Sequence, residues 1–408
     1  MKIINKIQTD IRSHKEELIA QTNAFVFLYF AAFTTLQAPA GNNKYCNLIA
    51  AIFMLLAGLY CFIDCKSLIN PYTVVFGCFT AYVFVTMLWS PMRYDTKTMG
   101  ITLGKLLVVG TLLYNYLNSI RKKDYILSAL VVAGITVSLV TILYYGPSEY
   151  FSSLKNGHRM GMELYAINQV GCILSVSSLI AIWFVLFRKK WWDIFPAVLC
   201  LFVAIGTGSR AAILTFGVGF IVLIFLRVKG IYRLIVPVAF VALVFIGYKL
   251  LDLPVFGVLH DRLQSFLEVF KGGSTDSSTS IRIQMAKWGW EQFLKKPLFG
   301  IGFGAGLTVM QQHGSGLELF HNGYIEILVG CGIVGFVLYY FLLGYPLFKL
   351  AVPALKGNDS AVIAVVLVIN CLAQCFFGDI QSDQSINVII CYLFLTVAEV
   401  NRKAVGEE

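Results

Sequence analysis

The chain has 408 residues, of which 58% are hydrophobic and 13% are charged, and its formal net charge at pH 7 is +10. Soluble globular domains carry roughly a quarter charged residues, and the mean hydropathy here is +0.76. This composition excludes a soluble domain and predicts an all-α, polytopic integral membrane protein. The excess of basic residues is expected at anionic membrane lipids, and it predicts no nucleic-acid partner.

Twelve apolar runs are long enough to cross a hydrocarbon layer of ~30 Å as helices. They span residues 24–38, 46–64, 72–90, 99–118, 126–144, 165–187, 191–207, 211–226, 231–250, 324–348, 360–378 and 384–400.

The distribution of Lys and Arg between the connecting segments supports this number of spans. With a cytoplasmic N-terminus, the inner segments carry 18 basic residues and the short outer loops carry six. Such an imbalance is the usual topology signal of membrane proteins. The sequence therefore predicts that both termini are cytoplasmic and that the long polar stretch at residues 251–323 faces the periplasm or cell exterior.

Three parts of the chain follow: spans one to nine in residues 1–250, a loop subdomain in 251–323, and spans ten to twelve with a short cytoplasmic tail in 324–408. Two helices are predicted in the loop, at 259–270 and from Ile281 to Lys295. Ser274–Ser280 reads as a capping loop, which places Arg282 in the first turn of the second helix. A helix N-terminus with an arginine suits a phosphate group, although a solvated surface arginine is the alternative.

Other basic residues lie at the outer ends of spans. Arg210 follows Thr207-Gly208-Ser209 between two apolar runs with almost no loop. Burying a charge there costs roughly 2.5 to 3.5 kcal/mol, so Arg210 either extends to the headgroups or faces an anionic substrate. Lys105, near the outer end of the fourth span, and Arg159, in the third outer loop, are further candidates for substrate binding.

His321 closes the polar stretch, in Phe320-His321-Asn322-Gly323, directly before the tenth span. A boundary histidine is often only bonded to a backbone carbonyl. Nearby arginines, however, would disfavour its protonated form and leave a neutral imidazole that can accept a proton at neutral pH. We therefore expect His321 to act as a base or to orient a substrate hydroxyl, with Asn322 orienting the histidine. Gly323, Gly332 and Gly335 are expected to permit close helix packing.

Three motifs together resemble the O-antigen ligase family. The first is His321-Asn322 followed, after nine residues, by Gly332-Ile333-Val334-Gly335. The second is Thr207-Gly208-Ser209-Arg210 at a helix break, and the third is Arg282 with Trp288 and the stretch from Pro297 to Gly302. The architecture of twelve spans with one large outer loop after the ninth also resembles that family.

The resemblance implies a glycosyltransferase of lipopolysaccharide biosynthesis in the bacterial inner membrane. Such an enzyme moves a glycan from undecaprenyl diphosphate to a sugar hydroxyl of lipid A-core at the periplasmic face. Catalytic roles would fall to His321, Arg210 and Arg282, and substrate binding to Lys105, Arg159 and Asn322. No cofactor is expected, and no metal, because the arginines can stabilise the diphosphate and the outward-facing carboxylates that we considered are scattered.

Two alternatives remain open at this point. The first is an O-antigen polymerase or a protein O-oligosaccharyltransferase of the same superfamily, which would use another acceptor. The second is an anion or lipid transporter with Lys105, Arg210 and Arg282 along its pathway. Transporters commonly show repeated halves with broken helices in each, and the sequence shows no such repeat.

Overall fold

The structure is a computed structural model. It describes residues 15–36, 44–65, 67–155, 160–161, 164, 167–228, 230, 235, 238, 277–315 and 320–406. Among these residues all regular structure is helical, which confirms the predicted all-α membrane fold. The predicted loop helix at 259–270 and most of the ninth predicted span, 231–250, lie outside the described residues.

The described part contains fourteen α-helices and one 3₁₀ turn, Trp191–Asp193. The α-helices are α1 Lys15–Leu36, α2 Lys44–Asp64, α3 Pro71–Thr86, α4 Arg93–Ser119, α5 Tyr125–Tyr145, α6 Pro147–Lys155, α7 Ile167–Arg188, α8 Ile194–Gly206, α9 Arg210–Arg227, α10 Ser277–Lys295, α11 Gly306–Gln312, α12 Gly323–Leu355, α13 Asp359–Gln374 and α14 Gln384–Val405.

Each predicted span except 231–250 coincides with one of these helices. Six described segments are long and apolar enough to cross a membrane: Asn47–Asp64 and the helices α4, α5, α7, α9 and α12. Three shorter apolar helical segments, Pro71–Thr86, Trp191–Gly206 and Asp359–Gln374, add to them. The chain is therefore a polytopic helical membrane protein.

The centre of the bundle is formed by α13 and α14, whose side chains are buried over most of their length. Several polar side chains in this interior form hydrogen bonds between helices. Tyr72 donates to Oδ1 of Asn387 at 2.7 Å, and Asn387 donates to the carbonyl of Leu106 at 3.0 Å. Asn370 on α13 donates to the carbonyl of Thr215 on α9 at 2.9 Å. Polar groups away from water need such partners, and here the bonds join neighbouring helices.

Helix α12 is interrupted inside, at Gly332, whose φ is +63° and ψ is −166°. The sequence predicted a continuous span with glycines for packing, and this break is a correction. The break leaves backbone N–H and C=O groups on both sides of Gly332 without their usual partners in the helix. The segment 297–302 supplies their partners, because Ile301 and Gly302 donate to the carbonyls of Val329 and Gly330 at 2.9 and 2.8 Å.

Two further backbone bonds complete this pairing from the other side of the break. Ile333 and Val334 donate to the carbonyls of Pro297 and Leu298 at 2.9 and 3.2 Å. The hydroxyl of Tyr82, on α3, donates to the carbonyl of Cys331 at 2.9 Å. We call the segment 297–302 with its bonds to α12 the brace. It satisfies the backbone groups that a broken helix would otherwise leave unpaired in an apolar region.

The bundle has a cavity at each of two opposite sides, and the helices α4, α7, α13 and α14 reach from one cavity to the other. One end gathers the start of α4 and α7, the end of α13 and the start of α14 around a cavity that includes His321. The other gathers the remaining ends of the same helices around a second, strongly charged cavity. The basic segments 121–123, 188 and 402–403, predicted to share one side of the membrane, meet at this second end.

We predict that Gly332→Ala lowers the thermal unfolding temperature of the purified protein. A Cβ at this position would lie 2.3 Å from the carbonyl oxygen of Leu298, and φ is in the left-handed region. Strain of that kind costs on the order of 1 to 3 kcal/mol before the overlap is counted. Gly344→Ala is the control, because a Cβ there meets nothing within 4 Å. Equal unfolding temperatures for the two variants would contradict the assigned role of Gly332.

Candidate functional site

Arg210 is the first residue of α9, directly after the turn that separates α8 from α9. Gly208 in this turn has φ +61°, and Ser209 caps α9 by accepting from the amide of Ala212. The Ser209 hydroxyl also lies 3.1 Å from Oδ1 of Asn168 on α7. The predicted helix break at Arg210 is therefore present, and its turn is fixed to the start of α7.

Arg282 lies on α10, but not where the sequence placed it. The helix begins at Ser277, so Arg282 is beyond the first turn and the expected cradle of free helix amides does not surround it. Ser277–Ser280 join the helix instead of forming its capping loop. On this helix Ile281 is exposed, while Met285 and Phe293 are buried.

The buried face of α10 packs on the start of α12. A Cβ added to Gly289 would lie 2.2 Å from a side-chain carbon of Ile325 and 3.0 Å from the ring of Phe320. This contact leaves no room for a larger residue between the helices. It sets Arg282 close enough to His321 for its charge to act on the imidazole.

His321 is held by an unusual backbone conformation at the entry to α12. Its φ is +52°, a region that non-glycine residues seldom occupy and that often marks functional positions. Phe320 before it is buried, and Asn322 after it is the N-cap of α12. Oδ1 of Asn322 accepts from the amides of Tyr324 and Ile325, both at 3.1 Å. Asn322 therefore fixes the helix start directly after His321.

A cavity of about 380 Å³ opens beside His321. This volume falls in the usual range for small-molecule sites, about 300 to 1,000 Å³. Its wall comes from the starts of α4, α7, α9, α12 and α14, from the loop between α13 and α14, and from Phe303-Gly304 after the brace. The inner part is apolar, with Leu130, Val176 and Ile389, and the opposite part carries polar side chains.

Three carboxylates that sequence reasoning did not select line this cavity, those of Glu326, Asp379 and Asp383. Glu326, in the first turn of α12, is 4% exposed, and its Oε2 accepts from the amide of Phe320 at 3.4 Å. Asp379 lies between α13 and α14, and its Oδ1 is buried without a hydrogen-bond partner among the described residues. A buried polar atom of this kind in a cavity indicates a place for a ligand group.

The signal for Asp379 was present in the sequence. Asp379-Ile380-Gln381-Ser382-Asp383 is a short polar loop between two apolar spans, and it is predicted on the same side as His321. The structure attaches this loop to the start of α12, where Gln381 donates to the carbonyl of Gly323 at 2.8 Å. Gly323 in turn donates to the carbonyl of Cys375 at 2.7 Å. The loop and the histidine turn therefore form one unit.

The electrostatics of the site distinguish its titratable groups. Burial lowers the pKa of His321 below its ordinary value of 6.5, and the positive charge of Arg282 lowers this pKa further. The imidazole is therefore neutral at pH 7, as the sequence predicted. Burial raises the pKa of Asp379 to about 7, so this carboxyl can either donate or accept a hydrogen bond near neutral pH.

The remaining predicted residues differ in their relation to the cavity. Arg210 immediately precedes Ala211, which lines it. Lys105 is exposed on α4 and is not among the described lining residues, whereas Met99 of the same helix is. Arg159 lies outside the described residues. Within the described part of the chain, no group of three or more His, Cys, Asp or Glu side chains is arranged to hold a metal ion.

We predict that Arg282→Gln raises the pKa of His321, because it removes a positive charge that opposes protonation. The pKa should still remain below 6.5, since burial is the larger cause. NMR of protein labelled at the histidine Cε1 position measures this titration, and His321→Gln assigns the signal among the five histidines. Lys287→Gln, an exposed residue on the same helix, is the control. An unchanged pKa in the Arg282 variant would contradict the assigned effect of the Arg282 charge on His321.

Comparison with known proteins yields one family. Residues 195–340 match the family model described as O-Antigen ligase, and no curated protein matches the chain. The matched segment includes Arg210, Arg282, the brace, the His321 turn and the break in α12. These are the features in which the sequence resembles that family, and the match over residues 195–340 supports the resemblance.

Proposed function

We propose that this protein is an O-antigen ligase of lipopolysaccharide biosynthesis. It would transfer a glycan from undecaprenyl diphosphate to a sugar hydroxyl of lipid A-core, at the periplasmic face of the inner membrane. The observation that carries the proposal is the cavity, in which His321, Glu326 and Asp379 stand beside apolar walls. The match of residues 195–340 to the family model supports a lipid-linked glycan as the donor.

The donor has a charged diphosphate and an apolar polyprenyl chain, and the site offers a partner for each. Arg210 and Arg282 would bind the diphosphate, since a guanidinium presents a planar pair of donors to phosphate oxygens. A unit-charge pair at ~4 Å attracts by ~4 kcal/mol at an effective dielectric near 20, before desolvation is counted. The apolar inner wall, with Leu130, Val176 and Ile389, suits the beginning of the polyprenyl chain.

The reaction needs one proton to be removed. The acceptor hydroxyl oxygen forms a bond to the anomeric carbon of the donor glycan, the bond from that carbon to the phosphate oxygen breaks, and the diphosphate leaves with the electron pair. Neutral His321 would take the acceptor's proton or orient its hydroxyl. Asp379, whose Oδ1 is buried and has no hydrogen-bond partner within the described part of the chain, would hold the acceptor sugar by a hydrogen bond.

The charge that develops on the leaving diphosphate must be stabilised. We assign this task to the two arginines and propose that transfer proceeds without a metal ion. The guanidinium groups of Arg210 and Arg282 would supply the positive charge that a metal ion would otherwise provide.

We predict that His321→Gln reduces glycan transfer by about 100- to 10,000-fold, the usual contribution of a general base. The measurement uses protein in lipid nanodiscs with polyprenyl-diphosphate-linked glycan and lipid A-core, and follows both the glycosylated lipid and the released polyprenyl diphosphate. His313→Gln is the matched control, because His313 is an exposed histidine that does not line the cavity. Near-normal transfer by the His321 variant would remove His321 from catalysis.

Two further arms of the same assay separate the alternatives. Incubation with EDTA should leave transfer intact, whereas activity lost to EDTA and restored by Mg²⁺ would contradict a metal-free mechanism. Replacing lipid A-core by a second molecule of donor should yield no longer glycan. A lengthened lipid-linked glycan in that arm would identify a polymerase instead of a ligase.

A further inference from the structure

A second cavity lies at the end of the bundle opposite His321, and its volume is about 770 Å³. It is enclosed by the turn between α4 and α5, the end of α7, the start of α13 and the end of α14. The family match does not reach its walls, since the lining residues, within 117–125, at 188 and within 357–403, all lie outside the matched segment. The proposed glycan transfer makes no use of it.

The lining of this cavity has an excess of positive charge. Its basic members are Arg121, Lys122, Lys123, Arg188, Arg402 and Lys403. Its acidic members are Asp124, Asp359 and Glu399. Six cations against three carboxylates leave a formal charge of +3, in a cavity that is predominantly polar.

Two of the carboxylates are each shared between two cations. Glu399 forms salt bridges with Lys123, at 2.6 Å, and with Lys403, at 2.7 Å. Asp124 forms salt bridges with Lys123, at 3.1 Å, and with Arg188. This network holds the cations of three separate segments around one space. Because each of these two carboxylates pairs with two basic groups, the network has more positive than negative charge.

Two helix N-termini add to the positive character. Helix α5 begins at Tyr125 and α13 begins at Asp359, and both residues line the cavity. Asn358 caps α13 by accepting from the amide of Ala361 at 2.9 Å. The N-terminal ends of helices carry a partial positive charge and free N–H groups that favour anions. Six basic side chains and two helix ends therefore converge on one cavity.

We propose that this cavity binds a phosphate group, carried either by an anionic lipid headgroup or by a soluble phosphate compound. Arginine and lysine side chains suit phosphate oxygens. Basic cavities between transmembrane helices commonly receive the headgroups of anionic lipids. The two sources share the same chemistry, and they are distinguished by whether the phosphate arrives from the bilayer or from solution.

The test uses the full-length protein in nanodiscs. Native mass spectrometry measures retained phosphatidylglycerol in discs that contain it, and calorimetry measures inorganic pyrophosphate binding in discs of neutral lipid alone. The variant is Arg121→Asn with Lys122→Gln. Both side chains are exposed, and asparagine suits the positive φ of +54° at position 121. Lys349→Gln is the control, since Lys349 is exposed on α12 and does not line the cavity.

We expect the double variant to bind at least one probe about 30-fold more weakly, at about 1 kcal/mol for each basic residue removed, while the control binds as the unaltered protein does. Weakened lipid retention alone assigns the phosphate to a headgroup, and weakened pyrophosphate binding alone assigns it to a soluble compound. Unchanged binding of both probes by the double variant, with an unaltered unfolding temperature, would overturn the proposal.

Discussion

The backbone pairing between the brace and the broken helix α12 is the constraint on which the arrangement of the candidate site depends. An interrupted helix in an apolar bundle exposes N–H and C=O groups that have no water to bind. Here the segment 297–302 provides four backbone bonds across Gly332. The same segment joins α10, which carries Arg282, to Phe303 and Gly304 in the cavity wall. The bonds that pair the backbone groups at the break therefore also position two parts of the candidate site.

The site is assembled from segments that are far apart in the chain. Arg210 comes from a helix break stabilised by Ser209, Arg282 from a helix packed through Gly289, and His321 from a strained turn before α12. The loop with Asp379 is attached to this turn through Gln381 and Gly323. Burial, together with the charge of Arg282, keeps the imidazole neutral. In the proposed transfer, a neutral imidazole would suit the acceptor hydroxyl, and nearby positive charge would suit the diphosphate leaving group.

The sequence predicts the helical membrane fold well, because span length and the alternation of basic loops follow directly from the bilayer. It also selects His321, Arg210 and Arg282. The brace was missed because its bonds join backbone atoms, which leave no mark on residue type beyond the glycines. The start of α10 was misplaced because serine and threonine favour caps as well as first turns. Asp379 was missed because the short polar loop that contains it has no periodicity that singles out one side chain.

The most direct test of this account measures hydrogen exchange at the brace. The amides of Gly302 and Ile333 donate to the carbonyls of Gly330 and Pro297 at 2.8 and 2.9 Å. In nanodiscs they should exchange at least about 100-fold more slowly than the amide of Ile69, in an exposed turn, since a protected amide exchanges only when its structure opens. Slow exchange at both positions would support the paired break. Exchange as fast as at Ile69 would mean that the brace does not hold α12, and would contradict the account of how the site is positioned.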